Sequence, residues 1–263
     1  MSTWGIAMVK DEMDILRWTL PQMLCQVDEV LVADNGSTDG TRELLEDMLD
    51  RYPTLHVIDD PEVAYYQARK MTAMAGMARL GGADWVVPFD ADEVWYSGDY
   101  SISETLEDLP IHAVARAALY DHRRVVGEDD DTDPNPLTRM GWRTRAPGGL
   151  PKVAVRTCLR VNIEMGNHGA HYLDGTIEDK LIVRHFPYRS ADQFVTKARN
   201  GAAAYAATEG LGEHIGAHWR DYGRILDTDG EDALRGVFEQ HFSYPDRDAA
   251  IRAGMMFDPS PLQ

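Results

Sequence analysis

The stretch Trp85-Val86-Val87-Pro88-Phe89-Asp90-Ala91-Asp92-Glu93-Val94-Trp95 decides the fold. An apolar, strand-like run drives straight into three carboxylates within four positions. If the run is a buried strand, the acids emerge where it leaves the sheet. On an extended chain, residues two apart point to the same side, so Asp90 and Asp92 are expected to face one ligand together. Two close carboxylates repel unless a cation sits between them. Oxygen ligands of this kind suit Mg²⁺ or Mn²⁺, which keep some waters and take a substrate phosphate as well. A solvated turn is the competing reading, because Asp is common where strands end.

Upstream, the same strand-then-polar arrangement recurs. Trp4 to Val9 reads as a strand that ends at Lys10-Asp11-Glu12. Asp11 is expected to cap a helix with Met13, Leu16, Leu20, Met23, Leu24 and Val27 on one face, kinked at Pro21. Val30 to Asp34 is a second strand, followed by Asn35-Gly36-Ser37-Thr38-Asp39-Gly40-Thr41 and a helix with Leu44, Leu45, Met48, Leu49 and Tyr52 at core spacing. Leu55 to Ile58 is a third strand, and Tyr66 to Leu80 a helix closed by Gly81-Gly82. Its Met71, Met74 and Met77 read as core packing. Strands alternating with helices predict a parallel sheet covered on both faces. Such sheets bind ligands beyond the carboxyl ends of their strands. Lys10 to Glu12, Asp34-Asn35 and Asp90 to Asp92 are therefore expected on one rim.

The totals bound the function. At 263 residues, with 44% apolar and 27% charged residues, the chain has the makings of a sizeable core. Its net charge of −18 argues against a nucleic-acid or acidic-membrane binder. An anionic small substrate needs only a local basic pocket. Cys25 and Cys158 stand in no metal-ligand spacing and suggest no disulfide framework. Neither a secretory signal nor an apolar run near 18 residues is read, which points to a cytoplasmic protein.

Downstream, Ser101-Ile102-Ser103-Glu104 is a capping-box pattern and Ala113 to Leu119 a strand. Gly127 to Pro151, acidic and rich in proline and glycine, reads as a long surface loop. Val153 to Val155, Leu159 to Ile163 and Leu181 to Val183 are further strands, and the chain reads as helical from Ser190 onward. The Gly36 to Thr41 loop is neither a Walker P-loop nor a dinucleotide fingerprint. Its glycines turn the chain and Ser37 or Thr38 caps the next helix, which leaves Asp34 and Asn35 as the better ligand candidates.

Val32-Ala33-Asp34-Asn35-Gly36-Ser37-Thr38-Asp39-Gly40-Thr41, followed about fifty residues later by Phe89-Asp90-Ala91-Asp92-Glu93, resembles the GT-A-fold glycosyltransferases, and most closely their family 2-like group. Val9-Lys10-Asp11-Glu12 before a helix resembles that family's opening. The resemblance implies an α/β, Rossmann-like, mostly parallel sheet flanked by helices, with a helical C-terminal region. It implies a domain at 1–190 that binds a nucleotide sugar and carries the chemistry, and an extension at 191–263 packed on it. Asp90 and Asp92 match the Asp-x-Asp that holds Mn²⁺ or Mg²⁺ on the donor diphosphate. Asp34 and Asn35 match a pair that holds the nucleoside, with Asn where many relatives have Asp. Lys10 and Glu12 lie near the nucleotide, although a first-turn acid also suits a helix dipole. His185 resembles a C-terminal His placed on the metal or diphosphate. Arg184, Arg189 and Lys197 are cationic candidates for the leaving diphosphate, and His168 and His171 for acceptor contacts.

The implied reaction moves a sugar from a nucleotide sugar, UDP- or GDP-linked, to a hydroxyl of a glycan or protein, with inversion by analogy with the family. A metal held by Asp90 and Asp92 offsets charge on the leaving group, and an inverting enzyme also needs a carboxylate base, for which Glu164, Asp174 and Glu178 compete. Trp95, Tyr96, Trp142 and Tyr172 are either sugar-stacking platforms or core. A nucleotidyltransferase, a non-catalytic nucleotide- or sugar-binding protein and a structural Ca²⁺ site are the alternatives. The first would carry a Gly-rich signature with a nearby basic residue, which the loop around Lys10 lacks.

Overall fold

The computed structural model describes residues 1–98, 100–110, 113–157, 161–171, 176–210, 212 and 214–259. In chain order its elements are β1 (Thr3–Val9), α1 (Met13–Gln26), β2 (Glu29–Asp34), α2 (Thr41–Leu49), β3 (Leu55–Asp59), α3 (Gln67–Leu80), β4 (Trp85–Pro88) and β5 (Glu93–Tyr96). There follow α4 (Ile102–Glu107), β6 (Ala113–Asp121), β7 (Arg124–Val125), α5 (Pro136–Arg139), β8 (Trp142–Thr144), β9 (Lys152–Arg156), β10 (Asn162–Ile163), β11 (Ala170–His171) and β12 (Thr176–His185). The last are α6 (Ala191–Ala206), α7 (Ala217–Asp229), α8 (Glu231–His241), β13 (Ser243–Tyr244), α9 (Arg247–Arg252) and β14 (Met255–Phe257). They group into two compact units. The first comprises Met1–Asp60, Gln67–Tyr120 and Ala146–His185, the second Pro61–Tyr66, Asp121–Arg145 and Phe186–Gln263.

The first unit is built on an eight-stranded sheet in the order β3-β2-β1-β4-β9-β6-β12-β5. The leading strands pair in parallel, β3 with β2, β2 with β1 and β1 with β4. Antiparallel pairs take over at β9, which lies between β4 and β6, and join β12 to β5. Alternate side chains of each leading strand feed opposite faces, as the pleat requires. Ala7, Val9, Val30, Val32, Trp85 and Val87 pack with Leu16, Leu20 and Met23 of α1 and Leu45 and Met48 of α2. Ile6, Leu31, Ala33 and Val86 pack on the other face with Met71, Met74, Ala75 and Ala78 of α3. Two of the three methionines in the predicted stripe are thus core, while Met77 is exposed. The order places β1 where the chain switches direction across the sheet, between β2 and β4, and ligands collect at such a point.

The helix starts differ in part from expectation. The Ser101–Glu104 capping box forms as read. Asp11 does not cap α1: its backbone is left-handed, with φ of 53°, and its carboxylate accepts from the Thr38 N–H. Asp39 serves both helices instead, accepting from the Met13 N–H at the start of α1 and the Thr41 N–H at the start of α2. Neither Ser37 nor Thr38 caps α2, whose N-cap is Gly40 with φ of 101°. A Cβ at Gly40 would lie 2.5 Å from Met13 Sδ, so both the turn and the contact require glycine.

The second unit corrects the reading of Gly127 to Pro151 as a surface loop. That segment carries α5 and β8, and Leu137, Met140 and Trp142 are buried. β8 pairs with β14 and β7 with β13, so a region read as uniformly helical also supplies two short strands. Helices α6 and α8 meet around Phe194, Val195, Ala198, Leu234 and Phe238.

Between β7 and α5, burial pushes the Asp129 carboxyl up to about 7, with Asp131 adding to it and Arg124 and Arg139 opposing. The folded protein therefore holds this proton more tightly than the unfolded chain. Asp129 imposes no penalty near pH 4, and its penalty grows until pH 7 as ionisation is resisted. Asp129→Asn keeps an acceptor for the Val125 N–H. It is expected to raise stability at pH 8 by about 1–2 kcal/mol, allowing for partial solvent screening, and to change little at pH 4. Thermal unfolding of both proteins at the two pH values checks this.

Candidate functional site

The carboxyl ends of β1, β2 and β4 lie on one edge, since Val9 pairs with Asp34 and Ile6 with Pro88. The loops beyond them interlock. Lys10 Nζ donates to the carbonyls of Asn35 (3.0 Å) and Gly36 (2.8 Å). Glu12, half-buried, donates its N–H to Thr41 Oγ1 at 3.0 Å. Asp34 is buried, and its Oδ1 accepts from the Ser37 hydroxyl at 2.6 Å. Asn35 turns its amide to Asp60, donating to the carbonyl at 2.9 Å and the carboxylate at 3.0 Å. Lys70 closes that corner at 2.6 Å from Asp60.

The Asp90 to Asp92 segment is a turn and not a continued strand. β4 stops at Pro88, and the Glu93 N–H donates back to the Asp90 carbonyl at 3.1 Å. The same-side argument for an extended Asp-x-Asp therefore fails, and the two carboxylates take different partners. Asp90 Oδ2 accepts from Lys152 Nζ at 2.5 Å and Oδ1 from Asn167 Nδ2 at 3.1 Å. Asp92, only 2% exposed, has Oδ1 3.6 Å from His185 Nε2. His185 reaches it because β12 pairs antiparallel with β5, setting His185 opposite Glu93. The turn is tied to α1 by the buried Thr19 hydroxyl, which donates to the Ala91 carbonyl at 2.6 Å. Thr19→Val preserves the shape and strips that donor. The expected cost is about 1–3 kcal/mol of stability, with weaker nucleotide binding, measurable by denaturant unfolding and calorimetry.

Glu93 is fully buried, accepting from Trp95 Nε1 at 2.9 Å and from the Asp90 N–H at 3.1 Å. Its Oε1 lies 2.8 Å from Lys152 Nζ, an ion pair without aligned hydrogen-bond geometry. Burial pushes the Glu93 carboxyl up and Asp90 adds to this, against the pull of Lys152 and His185. Burial alone would lower the Lys152 ammonium, but Asp90 and Glu93 outweigh it and hold it above its ordinary value. Burial, then Lys152, lowers His168, whose Nδ1 stands 2.9 Å from the Pro151 carbonyl.

The remaining candidates fall on other elements. Glu164 is exposed where β10 leads into the turn at Met165–Asn167, and Glu178 lies on β12. Asp174 and Tyr172 lie outside the described residues. Trp95 and Trp142 are buried core residues, and the Tyr96 hydroxyl accepts from Arg184 Nε at 2.9 Å. Arg189 and Lys197 belong to the second unit. Arg189 is 1% exposed and donates to the Phe186 carbonyl at 3.0 Å, while Lys197 is half-buried on α6.

Sequence reasoning missed Asp60, Lys70, Lys152, Asn167 and Thr19. Asp60 follows the third strand directly, so the rule applied to the other strands would have found it. Lys152 stands against the apolar run Val153-Ala154-Val155, where a lone cation signals a buried charge partner.

For a divalent ion, two ligands about 2.1 Å away stand about 3–4 Å apart, depending on the angle. The 3.6 Å between Asp92 and His185 fits that range. Among the described residues, no three His, Cys, Asp or Glu side chains form a metal-holding group. The fit is to a two-ligand protein site completed by other donors.

The family model described as Glycosyl transferase family 2 matches residues 9–142, just over half of the chain. The chain belongs to glycosyl transferase family 2. This family 2 member is therefore a glycosyltransferase, and its sheet and flanking helices are those of the GT-A fold. It is similar to the mannosyltransferase PcManGT from Pyrobaculum calidifontis, solved with GDP-Man and Mn²⁺, at 16% identity over 96% of this chain and 78% of that one, with a TM-score of 0.44. It is also similar to S. aureus TarS 1-349 in complex with UDP, at 14% identity over 92% and 75%, with a TM-score of 0.43. No curated protein sequence matches it. Among the described residues of this family 2 enzyme, no helix is long and apolar enough to cross a membrane.

Proposed function

We propose that this glycosyltransferase moves a sugar from a UDP- or GDP-sugar to a hydroxyl of a glycan or protein acceptor, with Mn²⁺ or Mg²⁺ and with inversion. The observation that carries the reading is buried Asp92 facing His185 beside the switch point of the sheet. Asp34, Asn35 and the Lys10 to Glu12 loop bind the nucleoside, and Lys10 braces the Asn35-Gly36 backbone for it. Asp92 and His185 would hold the divalent ion. When bound, that ion supplies positive charge to the departing diphosphate, which matters most in the transition state. Asp90, fixed by Lys152 and Asn167, presents its remaining acceptor capacity to the donor's ribose. A carboxylate of the Glu164 to Glu178 segment takes the acceptor proton.

Calorimetric titration of UDP and GDP, with and without Mn²⁺, tests the donor site. One diphosphate should bind tightly only with the ion. Failure of UDP, GDP, dTDP and CMP alike would overturn the reading. Proton NMR of the product's anomeric centre tests inversion, and retention would remove the need for the base.

A further inference from the structure

We propose that Asp60 is a positioning residue for the nucleoside: it fixes the Asn35 amide with its nitrogen toward Asp60 and its oxygen toward the base, so that the site selects bases carrying a ring N–H. The inference rests on the donor-site reading above and adds the residue that decides what Asn35 offers. Asn35 and Asp60 are the first residues beyond the paired ends of β2 and β3, where Asp34 stands opposite Asp59. Both backbones are pinned there. The Asn35 N–H donates to the Val9 carbonyl at 2.9 Å, and its carbonyl accepts from Lys10 Nζ. The Asp60 N–H donates to the Asp34 carbonyl at 2.8 Å. The two side chains therefore leave the same edge of the sheet as neighbours, one strand apart.

An amide has a donor end and an acceptor end, and its surroundings decide which points where. Asn35 Nδ2 donates to the Asp60 carbonyl at 2.9 Å and to Asp60 Oδ2 at 3.0 Å. Both partners are acceptors, so a flipped amide would set oxygen against two oxygens. Lys70, near the start of α3, donates to the same Oδ2 at 2.6 Å. The Lys70 and Asp60 side chains are only 11% and 15% exposed, so this ion pair holds the carboxylate against which the amide is set. Oδ1, the other end of the planar amide, is then turned away from Asp60. An amide oxygen accepts from the N3–H of uracil or thymine, or from the N1–H of guanine. Cytosine and adenine present a lone pair at the same ring position and repel it. A carboxylate at position 35 would also be an acceptor, but it would stand where Nδ2 now lies 3.0 Å from Asp60 Oδ2, and the two charges would repel. Asp60 thus makes asparagine the residue that fits here.

Calorimetry on the full chain with Mn²⁺ present tests this, comparing UDP and dTDP with CDP, and GDP with ADP. The proteins are wild type, Asn35→Asp, Asp60→Asn and the double variant that carries both changes. Wild type should prefer the nucleotide with the ring N–H by about tenfold or more within its pair. Asp60→Asn lets the Asn35 amide turn over, and that ratio should fall toward one. Asn35→Asp keeps an acceptor at position 35, yet it should lose about tenfold in affinity for the preferred nucleotide through repulsion by Asp60. The double variant exchanges amide and carboxylate, and should recover affinity and ratio to within about threefold of wild type. A merely structural Asp60 would change neither the base ratio nor the outcome of the exchange. An unchanged ratio in folded Asp60→Asn, wild-type binding by Asn35→Asp, or a double variant no better than Asn35→Asp would each overturn the proposal. If circular dichroism shows the proteins carrying Asp60→Asn unfolded, Asn35→Asp decides alone. Absence of nucleotide binding by wild type overturns the donor-site reading and this inference together. Wild-type binding with no base preference, or with preference for cytosine or adenine, overturns this inference only.

Discussion

Replacing Asp92 by Ala is expected to lower kcat/KM for sugar transfer by about 10³-fold, the loss typical of removing one group that offsets transition-state charge. Asp92 is 2% exposed and its Oδ1 lies 3.6 Å from His185 Nε2, so the deletion removes half of the protein's contribution to the proposed ion site. A folded variant is required for the comparison. The measurement is steady-state transfer with the donor identified by calorimetry, beside a melting curve. A fall in kcat/KM under tenfold in a folded variant would remove Asp92 from the chemistry.

Phe194→Ala is the substitution expected to cost most in stability, about 3–5 kcal/mol, as for other buried aromatic truncations. Phe194 is fully buried in the second unit. Its ring centroid lies 5.3 Å from Tyr188, 5.1 Å from Tyr222, 6.2 Å from Phe238 and 5.3 Å from Phe242. The edge-on contacts with Tyr188 and Tyr222 and the tilted ones with Phe238 and Phe242 add to the area the ring removes from water. These neighbours come from α7, α8 and the segments beside α6 and α8, so no single shift can refill the void. Urea unfolding read by aromatic fluorescence measures the loss. A change below 1 kcal/mol, roughly that of an exposed site, would show that the cluster does not hold this unit together.

The leading half of the sheet was legible because its strands are buried on both faces and so write continuous apolar runs ended by polar residues. Topology then delivered Lys10, Asp34 and Asp92 to one edge without any knowledge of side-chain packing. What failed was the local geometry after β4. Spacing by two implies a shared side only while the chain stays extended, and the turn at Asp90 to Asp92 breaks that condition. Capping failed similarly at Asp11, since the acid that serves α1 is Asp39, far away in sequence and near only through the fold. Lys152 illustrates a third limit: its role is set by carboxylates some sixty residues earlier, and no local pattern carries that pairing. The segment from Gly127 to Pro151 misled because proline and acid content hid a few large apolar residues, Trp142 among them, that anchor it.

The loops after β1 and β2 are stitched by Ser37 to the Asp11 N–H, Asp11 to the Thr38 N–H, Asp39 to the Met13 N–H and Thr41 to the Glu12 N–H. Bonds in both directions make the pair one mechanical piece. Neither loop can change length without pulling the other out of register. In a graft meant to alter donor choice, residues 10–13 and 35–41 would have to travel together.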